Sequence, residues 1–274
     1  MVNEDILIES DCTQKEYLKD LFRYHELFFF LAWRDILVRY KQTFFGVAWA
    51  LIRPLLNMVL FTFLFSNIAH LSSQNVNYSV FVLAGMLPWQ FFSTTVVDTS
   101  SCLINNVHLI SKVYFPRIII PSSQIIVNFV DFSIGLVLLM VLLAFTGGTV
   151  SWRLLSFPLL LVLLQMLTLG VSLWLSTFTV LYRDARFVVP FALQIGMFLS
   201  PVGYGSFMIS EKWRLLYSLN PLVGIIDGFR WSLFGIQEPE FAFSLALSVG
   251  ISLVILVTGF FYFRKTEVTF ADKI

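Results

Sequence analysis

The sequence predicts an all-α polytopic membrane protein, and two observations carry that prediction. Hydrophobic residues make up 58% of the 274 residues and charged residues only 13%, about half the charged share of a soluble domain. Six apolar runs are each long enough to cross a bilayer core of about 30 Å. They lie near 47–69, 80–104, 118–146, 154–181, 187–204 and 241–263, and the fifth is the shortest. We expect six transmembrane helices, an N-terminal amphipathic interfacial helix, and re-entrant outer helices before the last span.

The first 45 residues mix charged and aromatic side chains. Six acidic residues occur within the first 20, whereas a signal peptide needs a basic start and an apolar middle. We therefore expect three parts. Residues 1–45 form a cytoplasmic tail with amphipathic interfacial helices, residues 46–264 a transmembrane domain, and residues 265–274 a cytoplasmic C-terminal tail.

An amphipathic helix is predicted between Phe30 and Phe44. At about 100° per residue, its side chains fall on two arcs. The charged arc holds Arg34, Asp35, Arg39, Lys41 and Gln42 with Val38 among them, and the apolar arc holds Phe30, Trp33, Ile36, Leu37, Tyr40 and Phe44. A helix with two such arcs lies in the plane of a membrane surface. The chain then enters the membrane after Gly46.

The basic residues indicate the orientation of the spans. With six spans, thirteen of the 18 Lys and Arg residues lie on the side of the N-terminal tail, four lie opposite, and Arg53 lies inside the first span. Cytoplasmic segments of membrane proteins carry the excess of positive charge. Both termini are therefore expected in the cytoplasm.

Two connections between the spans are more than turns. In the cytoplasmic segment from Asn105 to Arg117, apolar residues Leu109, Ile110, Val113 and Tyr114 have helical spacing. This favours a short helix that docks into a partner's groove, with a solvated loop as the alternative.

The outer segment from Gly205 to Glu240 is too apolar for an open loop and too short to span twice. Irregular backbone at membrane depth survives only when it is buried in protein or lines a wet cavity. We therefore predict a re-entrant pair of short helices, broken near Asn220 and Pro221. Arg230 is expected at or just below the outer surface, with Asp227 as an i, i+3 partner.

Three ionisable residues fall inside the predicted spans: Arg53, Asp98 and Asp131. Such groups are costly in a membrane and usually face a cavity or a partner. Either aspartate can pair with a basic group between helices. Arg53 can contact an anionic head group that enters from the cytoplasmic side, or its side chain can extend to the inner surface.

The sequence gives little support to catalysis or to binding of nucleic acid. The net charge is +1, and the two cysteines and three histidines are scattered, so we infer no metal site or disulfide. The ATP-binding pattern GxxxxGK[ST] is absent. We expect a non-catalytic membrane subunit that binds no cofactor itself, with any ATP hydrolysed by another chain. No constellation of catalytic residues supports the alternative of a membrane-bound lipid-modifying enzyme.

Val202-Gly203-Tyr204-Gly205 spells the signature of a potassium-channel filter. A filter needs a preceding pore helix and four-fold alignment of its carbonyls. Here Pro201 takes the place of the usual threonine. An ion or solute channel therefore stays as the weaker alternative.

With these residues described, the chain resembles the membrane subunit of ABC-2 type exporters of polysaccharides and polyol phosphates. The resemblance covers roughly residues 25 to 235 and is carried by the motifs RDILVRYKQTFFGVAWALIRPLL, FVLAGMLPWQFF, NNVHLISKVYFPR, LYRDARFVVPF, SPVGY and LNPLVGIIDGFRWSLFG. It implies a homodimer in a bacterial cytoplasmic (inner) membrane, with two copies of a separate nucleotide-binding ATPase subunit that holds ATP and Mg. The implied substrate is a polyprenyl-pyrophosphate-linked polysaccharide resembling O-antigen, with capsule or teichoic acid as alternatives.

The resemblance also assigns roles to residues. The coupling helix to the ATPase would comprise Asn105, His108, Leu109, Ile110, Val113, Tyr114 and Arg117. The interfacial helix with Arg34, Arg39 and Lys41 would lie at the substrate entrance, where these residues and Arg53 attract the pyrophosphate. The re-entrant outer helices with Asn220, Pro221, Asp227 and Arg230 would close a path that runs between the first and fifth spans of each copy.

Overall fold

The computed structural model describes residues 14–41, 46, 48–68, 70, 76–147, 151–238 and 240–270. Within these residues the chain forms α-helices with short 3-10 and π segments, and no strand. The helices are α1 (Gln14–Arg23), α2 (His25–Lys41), α3 (Ala48–Phe61, continued as a π-helix over Thr62–Ile68), α4 (Tyr78–Asn105), α5 (Val107–Lys112), α6 (Ile119–Phe145), α7 (Phe157–Leu181), α8 (Ala185–Phe198), α9 (Glu211–Ser218), α10 (Pro221–Phe234) and α11 (Phe241–Glu267). The acidic start of the predicted tail, Gln42, Phe44 and the last four residues lie outside the described residues.

Five of the predicted spans are helices long and apolar enough to cross a membrane. They are Ala48–Ser66, Tyr78–Asn105, Ile119–Phe145, Trp152–Leu181 and Phe241–Glu267. The chain is therefore a multi-pass membrane protein. The predicted fifth span, 187–204, overlaps α8, which begins two residues earlier, has 14 residues and covers about 21 Å at 1.5 Å per residue. By itself α8 is shorter than the bilayer core.

Local sequence signals explain where two buried helices begin and end. The Asn77 side chain accepts a hydrogen bond from the Ser79 amide at 3.1 Å and caps α4. Asn220 caps α10 in the same way through the Leu222 amide, and Pro221 occupies the first turn. Gly235 ends α10 with φ of 73°, a left-handed conformation that favours glycine. The break between α9 and α10 thus lies where the sequence places it.

Helix α4 is the centre of the bundle. Its side chains are buried on almost every side, and α3, α6, α7, α8 and α10 pack around it. Helices α3, α6 and α11 instead leave many large apolar side chains exposed, as lipid-facing helices do. Buried α10 lies between α4, α7 and α11.

The bundle has two ends, which we name after the helices found there. At the α5 end, Leu31, Leu103, Ile110, Phe115 and Phe263 form a separate apolar cluster. At the α10 end, α4 begins and buried α10 lies, with α9 on the surface beside it.

Helix α8 runs antiparallel to α4 between these two ends. Gly196 lies beside the Trp89 ring. The carbonyl of Gly203 accepts a hydrogen bond from the Tyr78 hydroxyl, at the start of α4. Together, α8 and the irregular segment 199–205, which consists of turns and bends, therefore reach the same level at the α10 end as α4 does.

The predicted interfacial helix is present as α2, but its two arcs face in unexpected directions. Arg34, Asp35 and Arg39 of its charged arc pack against α4 and α6 through hydrogen bonds, whereas Lys41 is exposed. On the apolar arc, Phe30 is 64% and Trp33 62% exposed, and Tyr40 bonds to α6. An exposed aromatic side of this kind suits a membrane surface.

Candidate functional site

A cavity of about 640 Å³ lies between α2, α3, α4, α6 and α8. Helices α3 and α8, which lie largely within the predicted first and fifth spans, form two of its walls. Three groups of side chains line it: charged residues Arg39, Arg53, Asp98 and Asp131; polar residues Gln90, Ser93, Thr94, Asn128 and Gln194; and aromatic residues Tyr40, Trp49, Trp89, Phe91 and Phe132.

Arg39 joins the two intramembrane aspartates at the α5 side of this cavity. Its Nη2 donates to Asp98 Oδ2 at 2.7 Å, and its Nη1 donates to Asp131 Oδ2 at 2.7 Å. The Asn128 amide donates to Asp98 at 3.0 Å, and its oxygen accepts from Arg39 at 2.9 Å. The pairing between helices that the sequence left open is therefore made by the interfacial helix α2.

This network fixes the charge state of the end of α2. Burial alone would lower the pKa of Arg39, but the two carboxylates outweigh burial and raise it. Burial and the hydrogen bond to Asp131 raise the pKa of the Tyr40 hydroxyl, which donates to that carboxylate. Arg39 is positively charged and Tyr40 neutral at physiological pH.

Arg53 is in a different position from Arg39. It lies on α3, its side chain is exposed, and it lines the cavity. Among the residues that the structure describes, no carboxylate forms an ion pair with it. Arg53 is therefore a cavity-lining cation available for an anionic ligand.

The other two predicted entrance cations do not line the cavity. Arg34 donates to neighbouring Asp35 at 2.7 Å and to Asn106 at 3.2 Å, so it holds α2 against the end of α4. Lys41 is exposed at the end of α2.

The remaining lining suits an extended ligand rich in hydroxyl groups. Exposed Trp49 and Gln194 lie on the open side of the cavity, on α3 and α8. Trp89 and Gln90 lie on α4 opposite them. Aromatic faces with a few amide groups provide both apolar contact and hydrogen bonds.

The predicted coupling segment contains a single short helix, α5, at the α5 end of the bundle. Asn105, His108, Val113 and Tyr114 are exposed, the latter two at 50% and 48%. Ile110 is buried in the chain's own apolar cluster, which Leu109 also contacts. Ile110 therefore anchors α5 to its own bundle instead of offering its side chain to a partner, and the coupling role of the segment stays a prediction.

Arg117 also faces its own chain. Its backbone amide donates to Glu267 Oε1 at 2.6 Å, and its guanidinium donates to the Glu267 carbonyl. The other oxygen of Glu267 accepts from the Tyr17 hydroxyl at 2.8 Å. This carboxylate therefore joins α1, the segment after α5, and the last turn of α11.

At the α10 end, the Val-Gly-Tyr-Gly segment is held by side chains. Arg230 donates to the carbonyls of Val202 at 3.0 Å and Tyr204 at 2.9 Å, and the Tyr78 hydroxyl donates to that of Gly203. Three successive carbonyls are thus occupied within the chain, whereas a filter needs them directed at ions. This geometry removes the support for the channel alternative.

Arg230 is fully buried inside the bundle. It is 0% exposed and packs at the level of Gly85, seven residues and about 10 Å into α4. Asp227 lies 3.9 Å from its Nη1, at the i, i+3 position.

Sequence reasoning missed Glu267 and Glu238. Glu267 follows two basic residues at the end of the last apolar run, a place where a solvated tail is expected. Glu238 lies in a loop but is 3% exposed. The flanking sequence carries no signal for its burial, since that results from packing against residues distant in the chain.

Comparison with known proteins gives the same family throughout. The family model described as ABC-2 type transporter matches residues 26–234, nearly the range over which the sequence shows its resemblance. The chain is 28% identical over 260 residues to the O-antigen export system permease protein RfbA of Myxococcus xanthus, covering 94% of this chain and 98% of that protein. It is 30% identical over 223 residues to a protein of the same name from Klebsiella pneumoniae, covering 80% and 83%. A second such protein from Klebsiella pneumoniae is 28% identical over 243 residues, covering 87% and 91%.

Proposed function

This chain belongs to the ABC-2 type transporter family, and from that premise we propose that it is the membrane subunit of an ATP-driven O-antigen exporter. The names of its relatives support O-antigen as the substrate class. The observation that carries the proposal is the cavity between α3 and α8, which has aromatic and amide lining and an arginine, Arg53, with no ion-pair partner among the described residues.

The substrate is a glycan chain attached to a polyprenyl pyrophosphate. Arg53 supports this assignment, because an exposed guanidinium can bind a pyrophosphate through two parallel hydrogen bonds. Arg39 forms ion pairs with Asp98 and Asp131 and so positions α2 against α4 and α6. The aromatic and amide side chains then contact the sugars.

The energy comes from ATP and Mg held by a separate ATPase subunit. The ABC-2 family implies such a partner, and the chain carries no P-loop of its own. Exposed Val113 and Tyr114, beside α5, offer it an apolar contact. Movement of this segment reaches α11 and α1 through Glu267.

The chain crosses the inner membrane six times, with both termini in the cytoplasm. In the proposed topology, α8 and the irregular segment 199–205 together form the fifth crossing, and α9 and α10 re-enter from outside. The irregular part of this crossing is tolerated because its carbonyls are bonded by Arg230 and Tyr78. The α5 end is then cytoplasmic and the α10 end is the exit.

Two copies of the chain enclose the path. Trp49, Arg53, Pro190 and Gln194 line the cavity yet are exposed, so each copy provides an open half. A second copy facing α3 and α8 would complete the enclosure.

Deleting the chain tests this function directly. We expect the lipid-linked O-antigen precursor to accumulate on the inner leaflet and O-antigen to be lost from the cell surface. Glycan extraction and mass spectrometry measure both pools. Accumulation of capsule or teichoic-acid precursors would reassign the substrate. Normal surface glycan with no accumulation would exclude the export function.

A further inference from the structure

At the α10 end of the bundle, beyond the residues that line the cavity, lies a layer built around one arginine. The guanidinium carbon of Arg230 lies 3.8 Å from the ring centre of Phe81. Its Nη1 and Nη2 donate hydrogen bonds to the backbone carbonyls of Tyr204 and Val202, respectively. Gly85 makes room for it, since a Cβ at that position would lie 2.6 Å from Nη2 and 3.0 Å from the Val202 carbonyl oxygen. Arg230 therefore occupies a site shaped for it on three sides.

The segment held by Arg230 continues directly from a wall of the cavity. Leu193, Gln194 and Met197 of α8 line the cavity, and the chain then runs through 199–201 to the carbonyls that Arg230 binds. A displacement of 202–206 would thus be transmitted to α8. Segment 202–206 and the α8 wall of the cavity are thus directly connected along the chain.

Asp227 holds the same segment from the other side. Its Oδ2 accepts from Ser206 Oγ at 2.5 Å, while its Oδ1 lies 3.9 Å from Arg230 Nη1. Among the described residues, both Asp227 Oδ1 and Arg230 Nε are buried without a hydrogen-bond partner. Buried polar atoms are normally satisfied, so these two groups have bonding capacity that the closed state leaves unused.

Arg230 and Asp227 are also three residues apart on α10, where side chains on one helical face meet. If the 202–206 segment moved away, Arg230 would lose its carbonyls and Asp227 would lose Ser206. Arg230 and Asp227 could then pair with each other along α10. Glu238, which is 3% exposed and interacts electrostatically with Arg230, is a further carboxylate of the same layer. Pairing Arg230 with a carboxylate would keep the cost of opening low.

We propose that Arg230 is a positioning residue for export: it latches segment 202–206 across the exit and exchanges the carbonyls of Val202 and Tyr204 for the Asp227 carboxylate when the path opens. This inference rests on the proposed export function, because that function makes the α10 end the exit. The latch predicts that substitutions of Arg230 and Asp227 have opposite effects on opening of the exit.

The latch can be tested in the complete transporter, expressed with its ATPase partner. A cysteine introduced as Gln90→Cys lies in the cavity behind the latch, and a membrane-impermeant maleimide added to spheroplasts reaches it only when the exit opens. Arg230→Lys keeps the charge but cannot bridge two carbonyls. It is expected to raise the labelling rate without ATP turnover by about tenfold, the scale of one lost charge-assisted bond in a two-state equilibrium.

Asp227→Asn gives the opposite expectation. The amide oxygen still accepts from Ser206, so the closed state is kept, but the charged partner of the opened state is lost. Labelling during ATP turnover should fall below that of the parent. A purely structural role would loosen the layer in both variants, so a rise in both would overturn the proposal.

Arg214→Lys is the matched control. Arg214 of α9 also donates to a backbone carbonyl, that of Ile209 at 3.1 Å, but does not hold 202–206, and its labelling should match the parent. The chain without an introduced cysteine gives the background from Cys12 and Cys102. Equal labelling in Arg230→Lys and the parent would overturn the latch.

A second variant covers the case in which Arg230→Lys fails to fold. Tyr78→Phe removes one bond to the same segment and should raise labelling by a smaller factor; no rise there would equally overturn the latch. Labelling is independent of the glycan. If labelling contradicts the latch while O-antigen export is normal, only this inference fails. If labelling supports the latch while another substrate is exported, only the proposed function fails.

Discussion

Nη2 of Arg39 lies 2.7 Å from Oδ2 of Asp98, which fastens the end of the interfacial helix to the central helix of the bundle. The same guanidinium holds Asp131 on α6 at 2.7 Å. Without the cation, two carboxylates would face each other across a partly buried cavity wall. Breaking this ion pair therefore costs more free energy than breaking an exposed one.

Replacing Arg39 by glutamine is expected to destabilise the protein by about 2 kcal/mol. This is below the about 3–5 kcal/mol of a fully buried pair because solvent screens the interaction: the three side chains are 30%, 33% and 36% exposed. The thermal midpoint in detergent measures the loss. Lys41→Gln, at the exposed end of the same helix, should leave the midpoint unchanged.

A double-mutant cycle isolates the pair from other effects of the substitution. Arg39→Gln combined with Asp98→Asn should cost less than the two single changes added together, since one unpaired charge is removed. Strict additivity would contradict the interaction.

Arg53→Gln is expected to reduce export of the lipid-linked glycan several-fold, because the only unpaired basic side chain that lines the cavity in the described part of the chain would be lost. Arg53→Lys should retain most activity, since an ammonium also binds phosphate as a point charge. Surface glycan and its inner-leaflet precursor are measured together. Arg186→Gln changes an exposed basic residue of α8 outside the cavity and is the control.

If Arg53→Gln exported at the level of Arg186→Gln, the charge would not contact the substrate. The alternative in which the Arg53 side chain extends to the inner surface would then be supported.

Val113→Asp is expected to weaken association with the ATPase without unfolding the chain. Val113 is 50% exposed directly after α5, so a charge there is solvated in the free chain but opposes an apolar contact with a partner. Co-purification of the ATPase measures the effect. Val268→Asp, at an exposed valine beside the end of α11, is the matched control, and equal loss in both would contradict a specific role for α5.

The long helices could be predicted from sequence because their signal is local. An apolar run of sufficient length must form its backbone hydrogen bonds internally, which fixed α3, α4, α6, α7 and α11. The predicted span 187–204 is helical only to Phe198. Pro201 and two glycines follow, and the chain there forms turns and bends, with hydrogen bonds from Arg230 and Tyr78 to its carbonyls in place of those of a helix.

The candidate site could be predicted only as a set of unconnected charges. Arg39, Asp98 and Asp131 stand out by composition, but their contacts join residues 59 and 92 positions apart. Periodicity likewise places Ile110 on an apolar face without saying whose surface that face meets. The burial of Ile110 in its own bundle depends on tertiary packing, which one sequence does not encode locally.

Gly85→Ala is expected to destabilise the α10 end by about 1–3 kcal/mol, the usual cost of adding a methyl group to a filled core. The new Cβ would lie 2.6 Å from Nη2 of Arg230 and 3.0 Å from the Val202 carbonyl, so the guanidinium must move. Gly250→Ala in α11 meets no atom within 4 Å and should be neutral or slightly stabilising, since alanine favours helix. Thermal midpoints of the two variants in detergent decide the matter. Equal midpoints would mean that the close packing of Arg230 against α4 contributes nothing to stability.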